Sequence, residues 1–428
     1  MKNPNDATSR DTTTEEKNGR VAAVARRREE ILDELLAGYS KPEDVTGPDG
    51  LLRQLTAAVM NRALQAELTE HLGYKPGEKP SDETTNRRNG TGKKLLRSDH
   101  GPLPIEVPRD REGSFEPKLV AKHQREVPGF SDKIVSMYGR GMSVREIRAH
   151  MAEIYGVDVS ADFISRVTDE VVDELTSWQS RALEPVYLVV YVDALVVKIR
   201  DSGVVQNKAI YIAVGIDSEG QKDVLGLWVQ TTEGAKFWMS ILAELRNRGV
   251  GDILMLCADG LSGLPEAVEA TFPKTIFQTC IVHVIRASTR YVPWSERRAV
   301  CADLRRIYSS ASEPAARKAL DDFDAKWGRR FPNVVAAWRA RWAEITPFLA
   351  FPPEIRHCVY TTNTIESLNR VVRKTLKTRG HLPNDDAALK LVFLAIRNSK
   401  MRTKTPPKWA QARSQFAVLF ADRLINSL

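Results

Sequence analysis

Three acidic residues, far apart in the chain, have types and settings that could do chemistry. Asp193 interrupts the run Tyr187-Leu-Val-Val-Tyr-Val-Asp193-Ala-Leu-Val-Val-Lys198-Ile. That run is apolar at both parities, the pattern of a strand buried on both faces. An ionised carboxylate there costs roughly several kcal/mol unless a cation or hydrogen bonds compensate. Asp259 ends a second apolar run, Asp252-Ile-Leu-Met-Leu-Cys-Ala-Asp259-Gly260. Glu366 opens a basic helical stretch, Thr361-Thr-Asn-Thr-Ile-Glu366-Ser-Leu-Asn-Arg370. Two strand aspartates and a helix glutamate are the hard oxygen donors that a pair of Mg²⁺ ions, roughly 3.5–4 Å apart, requires; Mn²⁺ could substitute. One ion would activate water or a hydroxyl, and the other would stabilise the departing oxygen.

Each acid also has a plainer reading. Asp259-Gly260 alone is an ordinary turn after a strand. Asn363-Thr-Ile-Glu366 fits a capping box. Asp193 could be satisfied by local backbone or by Lys198. Against all three together stands their placement along the pattern of elements. Candidate strands occupy 187–199, 209–216, 223–230, 252–258 and 275–280, with a helix at 234–248 and a shorter one at about 264–271. Short links make the first three strands an antiparallel meander, and helical crossovers then add parallel strands. This βββαβαβ order is that of an α/β ribonuclease-H-like domain with a mixed sheet, in which the first strand, with Asp193, lies beside the fourth, with Asp259. After His283 the pattern is helical to about Phe351. An all-helical insertion therefore separates Asp259 from the returning helix that carries Glu366.

Along that helix Arg370, Arg373 and Lys377 follow Glu366 on one face, and Lys374 and Arg379 add to the charge. A basic stripe beside an acidic metal site suits a phosphodiester backbone. The competing account is solvated pairing, such as Glu366 with Arg370. Cys280-Ile-Val-His283 is a lone C-x-x-H, weak evidence for zinc because no second ligand pair is nearby. It reads better as an element that braces the carboxylates or contacts DNA. The helical block holds Trp294, Trp327, Trp338 and Trp342. These are expected in its core, although one could stack on an unpaired base. There is no phosphate-binding G-x-x-x-x-G-K-[ST] loop, so no ATP-driven step is expected.

The whole chain agrees with this chemistry. Its 428 residues suffice for two to four domains, and 42% hydrophobic with 28% charged residues is ordinary for a globular protein. A net charge of +8 and a pI of about 9.2 suit an anionic partner. No apolar run is long enough to span a bilayer, and no secretory signal is visible. The four cysteines, Cys257, Cys280, Cys301 and Cys358, form no C-x-x-C pair, so a reducing cytoplasm is expected.

The N-terminal part is expected to be mostly helical and to serve DNA binding or dimerisation. Residues 1–49 form a basic segment, polar and disordered to about residue 20, then helical from Val21 to Gly38. Residues 50–130 contain a helix from Gly50 to Gly73 and a small β-ribbon turning at His100-Gly101. Lys93, Lys94 and Arg97 on that ribbon are candidate phosphate contacts, against the simpler reading of a solvated hairpin. Residues 131–180 read as a helix-turn-helix-like unit. Its last helix is acidic (Asp162, Asp169, Glu170, Asp173, Glu174), with Arg166 as the basic residue that could face DNA. Residues 181–283 and 354–428 then make the catalytic core, interrupted by the insertion at 284–353.

The same residues carry a resemblance. Tyr191-Val-Asp193-Ala-Leu, Glu233-Gly-Ala-Lys-Phe-Trp238, Asp259-Gly-Leu-Ser-Gly263, Gln278-Thr-Cys280-Ile-Val-His283, Tyr360 through Arg370 and Arg109-Asp-Arg-Glu-Gly-Ser-Phe-Glu116-Pro resemble the mutator-type transposases of bacterial insertion sequences. The likeness runs from about residue 50 to 410. It implies a DDE transposase in which Asp193, Asp259 and Glu366 match the catalytic, metal-binding triad, and Cys280 and His283 match a C-x-x-H element. One departure is Ala287, where an asparagine is expected. Such enzymes bind the element's terminal inverted repeats, free a 3′-hydroxyl by hydrolysis and use it to attack target DNA, as dimers or larger assemblies. The alternative is an end-binding repressor derived from such an enzyme, without catalysis.

Overall fold

The computed structural model describes residues 26–47, 49–80, 85–360, 363–399, 405–406 and 409–424. The polar start expected up to about residue 20, and Asn363 as a side-chain cap, lie outside what is described. The chain divides into two compact units, Met1–Ile134 with Arg145–Phe163, and Val135–Val144 with Ile164–Leu428.

The first unit holds α1 (26–36), α2 (Pro42–Thr46), α3 (Leu51–Leu72), β1 (Arg88–Ser98) and β2 (Gly101–Asp110). Gly73 ends α3 in the left-handed region, φ 78°, as a C-cap glycine should. β1 and β2 pair antiparallel from Ser98 opposite Gly101. Met60 and Leu64 of α3 pack with Leu96, Leu103, Ile105 and Val120 to form its core. α4 (Phe130–Gly139) and α6 (Ala161–Ser180) cross the division, and α5 (Val144–Tyr155) falls in the first unit but for its first residue.

The second unit is built on a mixed sheet. β3 (Val186–Asp201), β4 (Val204–Ile216), β5 (Lys222–Gln230), β6 (Asp252–Ala258) and β7 (Ile276–Thr279) stand in the order β5-β4-β3-β6-β7. The two-residue turn Ser202-Gly203, φ 49° and 85°, has the positive angles that match hairpin twist, so β3 and β4 pair antiparallel. β4 pairs antiparallel with β5 as well. β6 and β7 each follow a helix, α7 (Ala235–Asn247) and α8 (Leu264–Thr271), and join parallel to β3 and β6 respectively. α7 and α8 cover one face, where Trp238 meets Tyr211 edge-on at 4.8 Å between ring centroids. β3 is buried from Val186 to Asp193 and alternates afterwards, so Asp193 lies where the strand leaves the core.

Helices complete the unit: α9 (Ile281–Thr289), α10 (Trp294–Tyr308), α11 (Glu313–Trp327), α12 (Pro332–Ala340), α13 (Trp342–Ile345), α14 (Pro353–Tyr360), α15 (Asn363–Leu376), α16 (Asp385–Arg397), α17 (Trp409–Leu419) and α18 (Ala421–Leu424). Gln278 in β7 is buried and stitches the helical block to the sheet. It donates to Ile345 O at 2.9 Å and accepts from the Phe348 amide at 3.0 Å. Trp338 is fully buried and donates to Ser288 Oγ, Trp327 donates to Asp303, and Trp294 is 84% exposed. The acidity of α6 has a partner. Asp169 accepts from Lys390 at 2.6 Å and Glu174 from Arg397 at 2.5 Å, both on α16, while Trp178 packs on Phe393. Much of α6 from Ile164 onward is thus a packed and ion-paired strut.

Candidate active site

The parallel ladder of β3 and β6 ends at Val192 opposite Ala258, so Asp193, still within β3, and Asp259, one residue past β6, come next on the two neighbouring segments. Adjacent strands lie about 4.8 Å apart, which brings two carboxylates together without any long-range device. The turn after Asp259 is fixed from below. Glu233 accepts from Tyr211 Oη at 3.0 Å and from the Ser262 amide at 3.1 Å, and Trp238 Nε1 donates to Ser262 O at 3.2 Å. A Cβ on Gly263, φ 79°, would lie 2.3 Å from the Ala235 amide nitrogen, so only glycine fits this approach.

His283 enters from α9. The Cys280 amide donates to Ala258 O at 2.8 Å, which starts the helix beside the end of β6 and sets His283 one turn on. Its Nδ1 lies 3.8 Å from Asp259 Oδ2. Asp193, Asp259 and His283 each offer an atom, and all three atoms lie within 4.8 Å of one another. Asp193 is 6% exposed. Its Oδ1 accepts from the Ala194 amide at 2.8 Å and its Oδ2 from Asn369 Nδ2. The local-backbone reading of Asp193 therefore holds for one oxygen, and Asn369, not Lys198, serves the other. Burial raises the Asp193 carboxyl above its usual range; His283 and the Ala194 amide oppose this, Asp259 adds to it and Arg373 opposes it.

The two ends of C-x-x-H do different things. The Cys280 thiol is buried and pushed up to about 11, first by burial, against the amides of His283 and Val282 that pull it down and alongside Asp259 and Asp193 that push it further up. Buried as it is, the thiol offers no surface to DNA.

Glu366 approaches from α15 but stands apart from that triplet. Its Oε1 accepts from Arg286 at 2.9 Å, and its side chain is 31% exposed. It lines the same cavity as Asp193, His283 and Asn369, of about 670 Å³. Arg370, Arg373, Lys374 and Lys377 extend that lining along α15, and all four are exposed. Arg379 departs from the expected stripe. Its guanidinium donates to Gly141 O at 3.0 Å and Met142 O at 2.6 Å and lies over the Tyr138 ring, tying helices together. Asn369 was not among the sequence candidates. Its position one turn after Glu366, facing back toward the sheet, is the signal that could have found it.

In the first unit, Lys93 is exposed, and it lines a second cavity, of about 450 Å³, with Lys94, Arg109 and Lys122. Lys94 donates to Ala121 O at 2.8 Å, and burial followed by Arg125 lowers its pKa. Arg97 lies over the Phe163 ring at 4.4 Å. Arg166 is exposed on α6.

The donor set fits a divalent cation: two carboxylates and an imidazole converge, and two buried atoms there, His283 Nδ1 and Asn369 Oδ1, have no hydrogen-bond partner among the described residues. A family model described as transposase, Mutator family, matches residues 27–404. The chain belongs to the mutator family of transposases. It is 48% identical over 399 residues to the transposase for insertion sequence element ISRM3 of Rhizobium meliloti, covering 93% of this chain and 99% of that one. A probable ISRM3-like transposase of Sinorhizobium fredii is 47% identical over the same shares. A probable insertion-sequence transposase of Corynebacterium diphtheriae is 46% identical, covering 75% of this chain and all of that protein. Transposases of this family act on DNA, and no described helix is long and apolar enough to cross a membrane.

Proposed function

We propose that this member of the family is a DDE transposase of an insertion sequence. In this reading it binds the terminal inverted repeats of its element and cuts and joins DNA strands at Asp193, Asp259 and Glu366. The observation that carries the reading is the buried Asp193 beside Asp259 at the end of two parallel strands, facing a cavity that Glu366 and a basic helix also line. The strand order β5-β4-β3-β6-β7 supports a ribonuclease-H-like core at 181–283 and 354–428, with 284–353 inserted. Residues before about 180 supply DNA binding and pairing of two copies, since two element ends must be held together.

Mg²⁺, with Mn²⁺ able to replace it, is the proposed cofactor; a bound pair would acidify the attacking hydroxyl and offset charge on the departing oxygen. Asp193 and Asp259 hold the cation side of the site rigidly, through the Ala194 amide, Asn369 and the braced turn. Glu366 leaves Arg286 and closes on the same cavity. Arg373, Lys374 and Lys377 grip the phosphates on either side of the scissile bond. Water first displaces a 3′-oxygen from phosphorus, and the freed 3′-hydroxyl then displaces another from a target phosphate. The number of phosphodiester bonds is unchanged in the second step, so no ATP is needed.

A strand-transfer assay on a labelled duplex of the terminal repeat, with Mg²⁺, tests this. Joined products from wild type and none from Asp193→Ala, Asp259→Ala and Glu366→Ala are expected. Binding of the repeat by wild type with no nicking or joining would replace the reading with that of an end-binding repressor.

A further inference from the structure

We infer that His283 is itself a metal ligand, its Nδ1 joining Asp193 and Asp259 around one divalent ion and biasing that position toward Mn²⁺ over Mg²⁺. The inference rests on the proposed transposase site and assigns one of its cation positions a nitrogen donor.

Three observations carry it. First, the three donor atoms already lie within 4.8 Å of one another. Octahedral bonds of about 2.1 Å put neighbouring ligands roughly 3 Å apart and opposite ones roughly 4 Å apart, so the cluster needs only a small contraction. Second, His283 Nδ1 is buried and has no hydrogen-bond partner among the described residues, and at 3.8 Å from Asp259 Oδ2 it is beyond hydrogen-bond reach. Buried polar atoms are nearly always satisfied, so this nitrogen is set for a partner that the described residues do not supply. Third, Asn369 is 2% exposed, grips Asp193 with its amide nitrogen and leaves Oδ1 buried at the same place, without a partner among the described residues. Glu366, meanwhile, sits on Arg286 and is not in the converging set among the described residues. The ion position defined by strand and α9 residues is thus complete without it. Imidazole nitrogen favours transition metals over Mg²⁺, which prefers oxygen.

The test is Mn²⁺ binding to the purified full chain, read by electron spin-echo envelope modulation, beside His283→Asn and Glu366→Gln. Expected are ¹⁴N modulation from a directly bound imidazole in wild type and in Glu366→Gln, and none in His283→Asn. His283→Asn should also bind Mn²⁺ at least about tenfold more weakly while its Mg²⁺ affinity falls less. Bound Mn²⁺ with no ¹⁴N modulation in wild type, or modulation that persists in His283→Asn, overturns the inference. Strand-transfer activity of wild type, assayed in parallel, separates the two claims: joining with an oxygen-only Mn²⁺ spectrum sinks the ligand and leaves the transposase. No Mn²⁺ binding and no joining sinks both. If His283→Asn fails to fold, the wild-type spectrum alone still decides whether nitrogen is bound.

Discussion

The strand-borne and helix-borne sides of the cavity are held in opposite ways. Asp193, Asp259 and His283 follow from sheet register and the start of α9; Asp193 is buried, and the turn after Asp259, whose own side chain is 43% exposed, is cross-braced. The α15 cations are exposed, and among the described residues Glu366 is held by Arg286 alone. On the proposed reading, the strand side is organised before any ligand arrives, and Glu366 has to leave Arg286 to join it. Asn369 is the hinge between them, since it sits on the Glu366 helix and holds the strand aspartate.

The sharpest way to break that contrast is at the carboxylates. Asp193→Asn and Asp259→Asn should each lower strand cleavage by about a thousandfold or more, whereas Glu366→Gln should lower cleavage as deeply but leave divalent-ion binding in place. Equal loss of ion binding in all three, by calorimetry, would erase the distinction between the sides. Asp193 adds a pH signature. Its carboxyl is raised in the folded protein, so the stability it contributes is full below its usual value of 3.8 and is lost as pH rises through the folded value. At neutral pH with chelator, Asp193→Asn should therefore melt higher than wild type, and adding Mn²⁺ should narrow the gap. A gap that does not change with pH would show that burial of that charge costs nothing.

Next in size is the hinge. Asn369→Ala leaves an Asp193 oxygen buried without its donor, which should cost about 1–3 kcal/mol of unfolding free energy in urea. Ion affinity should fall with it, because the carboxylate is no longer aimed. An unchanged affinity would mean that α15 plays no part in holding the strand side.

Sequence made the two sides unequally visible. A single acid closing an apolar run is legible because few alternatives place a charge there, and the spacing of strands and helices implied that Asp193 and Asp259 are neighbours. Glu366 was legible as a residue type on a basic helix, yet its tie to Arg286 depends on how α9 and α15 meet, which no local pattern encodes. His283 and Cys280 looked like one unit, but the cysteine is the first cap of a helix and turns into the core while the histidine faces the acids. Arg379 belonged to the stripe by charge, and only its contacts with Gly141 and Met142 remove it. The acidity of α6 argued against groove entry, and its reason, pairing with Lys390 and Arg397 some two hundred residues on, is tertiary.

That difference among cations predicts a smaller, separable pair of effects. Arg373→Ala or Lys377→Ala should weaken DNA binding and lower the slope of log K against log salt by about one each, with little change in melting temperature. Arg379→Ala should do the reverse, since its guanidinium holds backbone carbonyls. A loss of slope in Arg379→Ala without destabilisation would return it to the DNA-facing stripe.

The smallest expected effect tests whether Arg286 only parks Glu366. The pair is 2.9 Å apart, with side chains 57% and 31% exposed, so screening leaves it about 0–1 kcal/mol of stability. Arg286→Ala should thus unfold within about 1 kcal/mol of wild type. Removing a guanidinium from the cavity wall should tighten divalent-ion binding a few-fold, on the order expected for one partly screened charge. Strand cleavage should stay within about tenfold of wild type, because the released carboxylate no longer has to leave a partner. A loss as deep as that of Glu366→Gln, with stability intact, would place Arg286 among the groups that touch the reacting phosphate. The helix side would then be built as firmly as the strand side, with its contacts completed by DNA.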